Sequence, residues 1–118
     1  MTQHYIGTKQ IVAWEQEKDG APGYAVKYAD GYVSWSPKDV FEAAYLPIGH
    51  VGHLTQHQQR VVGEKVQLMD KHSKLQKFFG TPAFAALSLN EQSNLLMQAD
   101  VMAAYIRILA LRIEAFQG

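Results

Sequence analysis

The 118-residue sequence contains no cysteine and no surplus of charge, and both absences narrow what the protein can do. Without cysteine there can be no disulfide framework, no thiolate zinc site and no cysteine nucleophile. Eleven basic and eleven acidic residues give a net charge of zero. This balance argues against a nucleic-acid polymer as partner, because such binding depends on excess Lys and Arg that neutralise phosphates. A small anionic ligand needs only a few local cations and remains compatible with it.

Long hydrophobic runs are also missing. No apolar run approaches 18 residues, and no basic-then-apolar leader opens the chain, so neither a membrane span nor a signal peptide is predicted. We therefore expect a cytosolic protein that does not bind a membrane. A composition of 47% hydrophobic and 19% charged residues is typical of a folded globular chain, and the length fits one compact domain.

The first third of the chain has the composition of β-strands. Residues 5–14 and 23–28 are rich in aromatic and β-branched residues. The Asp30-Gly31 pair that follows is a strong hairpin signal, because a tight hairpin turn needs positive φ angles. Ser36, followed by a proline, predicts the cap of a short helix. Residues 1–48 are thus predicted to form a small antiparallel sheet with a short helix.

The apolar spacing becomes helical from residue 55 onward. Gly80-Thr81-Pro82 interrupts the pattern, and Ser88 with Glu91 three residues later fits a capping box that starts a second helix. Residues 49–118 are predicted to form a long antiparallel helical hairpin, so the fold class is α+β and the two parts together make one compact domain. Apolar residues of the second helix recur at alternating spacings of four and three, as in helix–helix packing: Leu95, Ala99, Met102, Ile106, Leu109, Ile113 and Phe116.

The second helix carries more apolar residues than this row. Val101, Tyr105, Ile108 and Leu111 lie in neighbouring rows, and one partner helix with a small sheet cannot cover them all. Self-association explains the excess, because the surplus face can then meet its copy in another subunit. The alternative is that the sheet folds back over this face within one chain.

No arrangement of residues predicts a catalytic apparatus. The sequence has no nucleophile elbow and no glycine-rich phosphate loop, and paired carboxylates are scarce. His50, His53 and His57 have spacings that occur in zinc sites, but they lie in a glycine-containing linker without a completing carboxylate or cysteine. We therefore predict binding instead of catalysis, with no metal and no cofactor.

Basic residues gather at both ends of the predicted hairpin. Antiparallel arms place Arg60 near Arg112, with Arg107 about one turn away. Guanidinium groups match phosphate oxygens in a bidentate manner and stack on bases. If the ends of several hairpins converge on a symmetry axis, the arginines form a ring that can hold a compact polyanion.

The opposite end of the hairpin combines an aromatic ring, an amide and cations. Lys74 and Lys77 lie near the connector that carries Phe84, and Asn94 follows at the start of the second helix. Stacking, edge hydrogen bonds and phosphate pairing are together how a nucleotide is usually held. In the alternative interpretation Phe84 fills the core of the hairpin and the lysines are only solvated.

Two long stretches resemble a known family. The segments "YIGTKQIVAW" and "GYAVKYADGYVSWSPKDVFEAAYLPI" are similar to the N-terminal domain of small phage proteins. The segment "KLQKFFGTPAFAALSLNEQSNLLMQADVMAAYIRILALRI" is similar to the helical hairpin of phage signal sponges. In this order they resemble the first-described phage Thoeris anti-defence sponge family, whose hairpin is shared with the anti-CBASS cyclic-oligonucleotide sponge.

The resemblance implies a non-catalytic homo-oligomer, a dimer or a hexamer, in the cytoplasm of the infected bacterial host. Its implied ligand is a cyclic ADP-ribose isomer made by TIR enzymes, and some members of the family hold cyclic di- or trinucleotides in a second site. By position, the stacking aromatic of the family falls on Phe84, its amide on Asn94, and its arginines on Arg60 and Arg112.

Two further alternatives remain open at this point. Trp35, in the predicted sheet, either helps to enclose a bound ligand or is a core residue. The function that competes with sequestration is an oligomeric phage scaffold or adaptor protein that binds a host protein.

Overall fold

The computed structural model describes residues 1–116 and has the α+β fold that the sequence predicts. The chain divides into two units, Met1–Tyr45 and Leu46–Gly118, called here the first and the second unit. The elements of the first unit are β1 (Val12–Glu15), β2 (Gly23–Lys27), β3 (Val33–Pro37) and α1 (Lys38–Ala44). Those of the second unit are α2 (Gln56–Phe78), α3 (Pro82–Ala85) and α4 (Leu89–Ala115).

A three-stranded antiparallel sheet, in the order β1-β2-β3, forms the base of the first unit. The turn between β2 and β3 is closed by Gly31 N, which donates to Tyr28 O at 2.9 Å, and by Tyr28 N, which donates to Tyr32 O at 2.9 Å. Gly31 has a φ of 90°, which glycine adopts without steric cost. The hairpin predicted at Asp30-Gly31 is therefore confirmed.

The first strand is shorter than the sequence predicts. The prediction covered residues 5–14, whereas β1 begins at Val12, and residues 1–11 have no regular secondary structure. Val12 pairs with Lys27, the last residue of β2. Residues before Val12 therefore lie beyond the end of their neighbouring strand, and strand composition alone cannot supply a hydrogen-bonding partner.

Helix α1 begins without the predicted serine cap. Ser36 pairs with Tyr24 in the sheet, and Pro37 occupies the cap position without a side-chain cap hydrogen bond. The prediction of Ser36 as cap is wrong, because its backbone stays in the strand ladder until the helix starts. The helix instead packs on the sheet through Phe41, whose ring stacks on Tyr24 at 4.2 Å and on Tyr45 at 5.0 Å.

The two faces of the sheet differ in what covers them. Because side chains alternate along a strand, Tyr24 and Val26 share the face on which α1 packs. The opposite face carries a row across the three strands, in which Ala25 is paired with Trp14 on one side and Trp35 on the other. Ala25 and Val26 are each only 2% exposed, so both faces of β2 are covered at its centre.

The second unit contains the predicted helices, with both predicted starts confirmed. At the start of α2, Gln58 N donates to Thr55 Oγ1 at 3.2 Å, and Thr55 N donates to the Gln58 side chain at 3.1 Å. At the start of α4, Glu91 N donates to Ser88 Oγ at 3.1 Å. Hydrogen bonds of this kind satisfy backbone groups that the first helical turn leaves without partners.

The core of the second unit lies between α2 and α4. Val61 on α2 and Ala99 and Leu109 on α4 are buried, and Leu109 has no exposed surface. Every residue of the predicted packing row, from Leu95 to Phe116, is buried or half-buried. The spacing of four and three therefore identified the contact face of α4.

A second apolar face of α4 is exposed. Met97, Val101, Tyr105, Ile108 and Leu111 are all at least 40% exposed, and Val101 reaches 68%. These five residues fall within about 120° of one another around the helix at 3.6 residues per turn, and they are called here the apolar stripe. By length and composition α4 is also long and apolar enough to cross a membrane, and 11% of its most apolar 18-residue stretch is buried.

Candidate functional site

The arginine end of the hairpin is organised by a contact between α2 and α4. The Tyr105 hydroxyl donates a hydrogen bond to the Glu64 carboxylate, and this bond defines the register of the two helices along their axes. Arg60 lies one turn before Glu64, and Arg107 and Arg112 follow Tyr105 along α4. Because the helices run antiparallel, all three arginines lie at the same end of the hairpin. Arg60, Arg107 and Arg112 are exposed and together are called the arginine end.

The electrostatics of Tyr105 show that Arg112 acts on this contact. The hydrogen bond to Glu64 is the main cause that raises the pKa of the Tyr105 hydroxyl above its usual value of 10.0, and partial desolvation and the negative charge of Glu64 add to it. The positive charge of Arg112 opposes this rise in pKa. A guanidinium, a carboxylate and a phenol therefore lie within mutual electrostatic range, and the two other arginines make the end positive overall.

The connector end of the hairpin is built around Phe84 on α3. Its ring meets Phe79 at 5.0 Å and Phe78 at 5.9 Å, both edge to face. The short helix is fixed because Phe84 N donates to Thr81 Oγ1 at 3.3 Å, while the same hydroxyl donates to Phe78 O at 2.7 Å. Phe84 is half-buried, so one part of its ring packs on the hairpin and another part faces solvent.

The polar residues predicted beside Phe84 lie on the two neighbouring helices. Asn94 is exposed near the start of α4, and Lys77 is exposed in the last turn of α2. Lys74, one turn earlier, forms an ion pair with Asp70 at 2.9 Å. Lys77 is therefore the cation of this end that is better placed to meet an anion.

Gln92 is a residue of the connector end that the sequence interpretation missed. Its side-chain amide donates to Ala85 O at 3.2 Å and to Leu87 O at 2.9 Å. These bonds attach the connector to α4 and fix the segment that carries Phe84. A glutamine in the first turn of an otherwise apolar helix was the sequence signal that could have identified it.

The first unit contains a separate open concavity beside Trp35. Trp35 Nε1 donates to Gln16 O at 2.7 Å, and Lys18 Nζ lies 5.6 Å from the centre of the indole ring. The indole is half-buried, so Trp35 packs on the sheet and also presents surface to solvent, and its part in enclosing a ligand stays a prediction. The concavity has a volume of about 520 Å³ and is lined by Gln16, Lys18, Ala25, Tyr32, Val33, Ser34 and Trp35.

The histidine spacings considered in the sequence do not become a metal cluster. Residues 1–116 contain no group of three or more His, Asp or Glu side chains arranged to hold a metal ion. His50 and His53 lie in the segment before α2, and His57 lies in its first turn. All three side chains are exposed.

Comparisons with known proteins bear on the second unit. The Sequestin family matches residues 55–115, from the cap of α2 to the last residue of α4. The search of curated proteins and the search of solved structures each found no match. The family name points to a protein that sequesters a small ligand instead of transforming it, and the match confirms the resemblance to a sequestering family. Since the match covers more than half of the 118 residues, the chain belongs to the Sequestin family.

Proposed function

We propose that the protein binds and sequesters cyclic ADP-ribose-type signals made by TIR enzymes, without degrading them, in the cytoplasm of an infected bacterium. The observation that carries this proposal is the Sequestin match, which extends over the whole helical hairpin. The resemblance of the sequence to Thoeris anti-defence sponges supplies the class of signal. Such a protein would keep the signal away from the immune effector that it activates.

Sequestration makes two physical demands on the binding site. The dissociation constant must be lower than the signal concentration that activates the effector, and the protein must be abundant enough to hold the signal stoichiometrically. A nanomolar dissociation constant corresponds to about −12 kcal/mol. Enclosure of most of the ligand surface, with a few well-placed polar groups, can supply this affinity.

The two ends of the hairpin carry different groups that suit nucleotide ligands. In this proposal Phe84 stacks on a base, Asn94 hydrogen-bonds to its edge and Lys77 pairs with a phosphate. The positive charge at the other end, from Arg60, Arg107 and Arg112, suits phosphates of the same ligand class or of cyclic di- and trinucleotides. Two charged ends on one hairpin support a protein with two kinds of phosphate-bearing ligand.

The apolar stripe supports a homo-oligomer, either a dimer or a hexamer. Five exposed apolar residues on one helical face form a patch that isolated soluble chains rarely leave open. A second copy of the same helix offers a matching surface. Native mass spectrometry should therefore give a multiple of the 13.2 kDa chain mass. A single-chain mass together with flotation on lipid vesicles would instead assign the stripe to a membrane.

A capture-and-release experiment tests the sponge directly. The protein is incubated with a cyclic ADP-ribose signal, separated from free ligand and then heated. Recovery of the intact signal from the denatured protein supports sequestration, whereas recovery of an altered signal indicates an enzyme. A signal that is never captured contradicts the proposal and favours the scaffold or adaptor function, for which the exposed stripe would be the contact surface.

Arginine substitutions test the phosphate sites within the same experiment. Arg60→Ala and Arg112→Ala should each weaken binding of a phosphate-bearing ligand roughly tenfold or more, because a hydrogen bond to a charged group contributes about 1.5–3 kcal/mol. Lys71→Ala is a suitable control, because Lys71 is another exposed cation on α2 that lies between the two ends. Calorimetric titration measures affinity, and a melting curve shows whether each variant is folded. Unchanged affinity in both folded arginine variants would remove the arginine end from the site.

A further inference from the structure

The concavity beside Trp35 lies entirely within the first unit and outside residues 55–115, so the family match does not account for it. We infer that the first unit has its own nucleotide-binding site, in which Trp35 stacks on a nucleobase and Lys18 binds the attached phosphate. This inference goes beyond the proposed function, because its ligand is a nucleoside monophosphate and its residues do not belong to the hairpin.

The indole ring of Trp35 is held in one position by two contacts. Its Nε1 donates to the backbone carbonyl of Gln16 at 2.7 Å. The ring also lies directly against the backbone of Gly23, because a Cβ atom built there would be 2.3 Å from an indole carbon. Any larger residue at position 23 would displace the ring. A ring fixed in advance loses little entropy when a planar ligand stacks on it.

The backbone that carries Lys18 is equally well defined. Lys18 and Ala21 exchange two backbone hydrogen bonds of 3.0 Å each. The two residues between them, Asp19 and Gly20, have φ angles of 52° and 80°, which is the geometry of a tight hairpin turn. The turn therefore fixes the backbone of Lys18 beside the sheet, while its side chain is exposed.

The present position of Lys18 suggests how the site would change when a ligand binds. Its ammonium group lies 5.6 Å from the centre of the Trp35 ring, within the range of a cation–π contact. A base that stacks on the indole would take the place of the ammonium, and a phosphate on the same ligand would give that charge a stronger partner. A nucleotide would replace the contact between Lys18 and the indole with a stacked base and would also give Lys18 a phosphate partner. An uncharged aromatic molecule offers only the stacked ring, so the site should favour nucleotides.

The remaining walls of the concavity supply hydrogen-bonding groups of the appropriate kind. Gln16, Tyr32 and Ser34 line it beside Trp35. Apolar stacking surface with a few polar groups and one cation is the usual composition of a small-molecule site. Tyr32 is 64% exposed and stacks near Tyr28 at 6.0 Å, so it borders the concavity without filling it.

Intrinsic fluorescence can test this inference because the chain has only two tryptophans. In a full-length Trp14→Phe variant, Trp35 is the sole reporter, and AMP should quench its emission saturably. Adenosine should bind up to roughly fivefold more weakly, since it lacks the phosphate that Lys18 would bind and an exposed ion pair contributes up to about 1 kcal/mol. Ribose 5-phosphate and inorganic phosphate should not quench the emission, because neither offers a ring that stacks.

Two substitutions make the test specific. Lys18→Met in the Trp14→Phe background should reduce AMP binding to the level of adenosine. Trp35→Leu should weaken AMP binding roughly tenfold by calorimetry, the range found for loss of a stacked base. A Trp35→Phe variant, which leaves Trp14 as the sole tryptophan, is the matched control and should show no saturable quenching.

Clear outcomes would overturn the inference. Absence of saturable quenching by AMP would do so, and so would unchanged AMP affinity in the Lys18→Met variant. The inference would also be contradicted if AMP quenched the emission of the Trp35→Phe variant, which keeps Trp14, and not that of the Trp14→Phe variant, which keeps Trp35. An Arg60→Ala, Arg112→Ala double variant separates this inference from the proposed function. That variant should lose the phosphate site of the hairpin and keep the AMP response of Trp35.

Discussion

The two units of the chain are stabilised in different ways. The first unit buries little more than Ala25 and Val26 and depends on a strand ladder and the stacked rings of Tyr24 and Phe41. The second unit depends on two long helices that meet around Leu109 and a few neighbours. The first unit is therefore a small sheet with aromatic support, and the second is a hairpin whose longest helix still exposes an apolar face.

The two units also differ in what covers their surfaces. The sheet already has α1 on one face and a fixed tryptophan on the other. The second unit leaves the apolar stripe uncovered along α4, and this is the unit that the family match covers. Both tryptophans lie in the first unit, at positions 14 and 35. Tryptophan emission therefore reports on the sheet, while circular dichroism at 222 nm reports mainly on the helices.

The largest expected effect is that of Leu109→Ala. Leu109 is fully buried, and removal of a buried leucine side chain costs about 2–5 kcal/mol of unfolding free energy. Leu111→Ala is the matched control, because Leu111 is 60% exposed two residues later and should cost less than about 1 kcal/mol in an isolated chain. Urea denaturation followed at 222 nm measures both.

The same pair of variants tests whether the stripe is covered. If Leu111→Ala destabilises the protein as much as Leu109→Ala, and more strongly at high protein concentration, a second copy covers the stripe. A shift of the tryptophan transition together with the transition at 222 nm would show that the two units unfold as one. A shift at 222 nm alone would show that they unfold separately.

Phe84→Ala should weaken ligand binding and also destabilise the connector, by amounts of similar size. Its half-buried ring makes two edge-to-face contacts, each worth about 0.5–1.5 kcal/mol, and loss of a stacked base weakens binding by about 1–3 kcal/mol. Calorimetric titration with a cyclic ADP-ribose signal, alongside a melting curve, measures both. Phe84→Leu is the control that keeps apolar volume without a ring. Equal affinity in a folded Phe84→Ala variant would show that the ring only packs the connector.

Substitution of the two helix caps should give a smaller effect. Ser88→Ala and Thr55→Ala should each cost about 1 kcal/mol of unfolding free energy. The two losses should be similar, because each substitution removes one accepted hydrogen bond, and the bond that the Thr55 backbone N donates to the Gln58 side chain remains in Thr55→Ala. Denaturation at 222 nm measures both losses, and tryptophan emission should not change. A loss for Thr55→Ala far above that of Ser88→Ala would contradict this equivalence.

The smallest expected effect concerns two tyrosine–carboxylate pairs, one in each unit. The hydrogen bond to Glu64 raises the pKa of Tyr105, and the hydrogen bond to Glu42 raises the pKa of Tyr24, above the usual value of 10.0. A raised pKa means that the protonated phenol is favoured in the folded state. The hydrogen bond of the protonated phenol therefore contributes fully to stability below pH 10, and this contribution is lost as pH rises through the folded-state pKa.

Tyrosine-to-phenylalanine substitutions measure these contributions. Tyr105→Phe should lower the stability of the helices slightly below pH 10, and the difference from the unmodified protein should disappear at higher pH. Tyr24→Phe should do the same for the tryptophan transition of the first unit. Titration of absorbance at 295 nm should show two tyrosines that ionise later than the others. If neither variant removes a late-ionising group, the hydrogen bonds do not persist in solution.

The sequence predicted the helices better than the strands, for a physical reason. The alternating spacing of four and three along α4 depends only on local periodicity, and every residue of that row is buried or half-buried. The extent of β1 depends on how far β2 reaches, which no local pattern contains. Ser36 had the chemistry of a cap, but its backbone remains paired with Tyr24 in the sheet.

The same contrast between local patterns and distant contacts holds for the candidate sites. The grouping of Arg60 with Arg107 and Arg112 followed from antiparallel helices and needed no side-chain detail. The Tyr105–Glu64 bond, the Gln92 bonds to the connector and the contact of Lys18 with Trp35 depend on side chains from distant parts of the sequence or from loops. Residue spacing within one element cannot reveal such contacts.

The segment between the two units has a consequence for how such proteins can diversify. The sheet closes its own ladder by Pro37, and α2 begins with a capping box of its own at Thr55. Between Tyr45 and Thr55, Gly49 adopts a φ of 84° and the chain forms no regular helix or strand. Insertions or exchanges there interrupt neither hydrogen-bonded framework. A lineage could therefore keep one helical scaffold and replace the unit that precedes it.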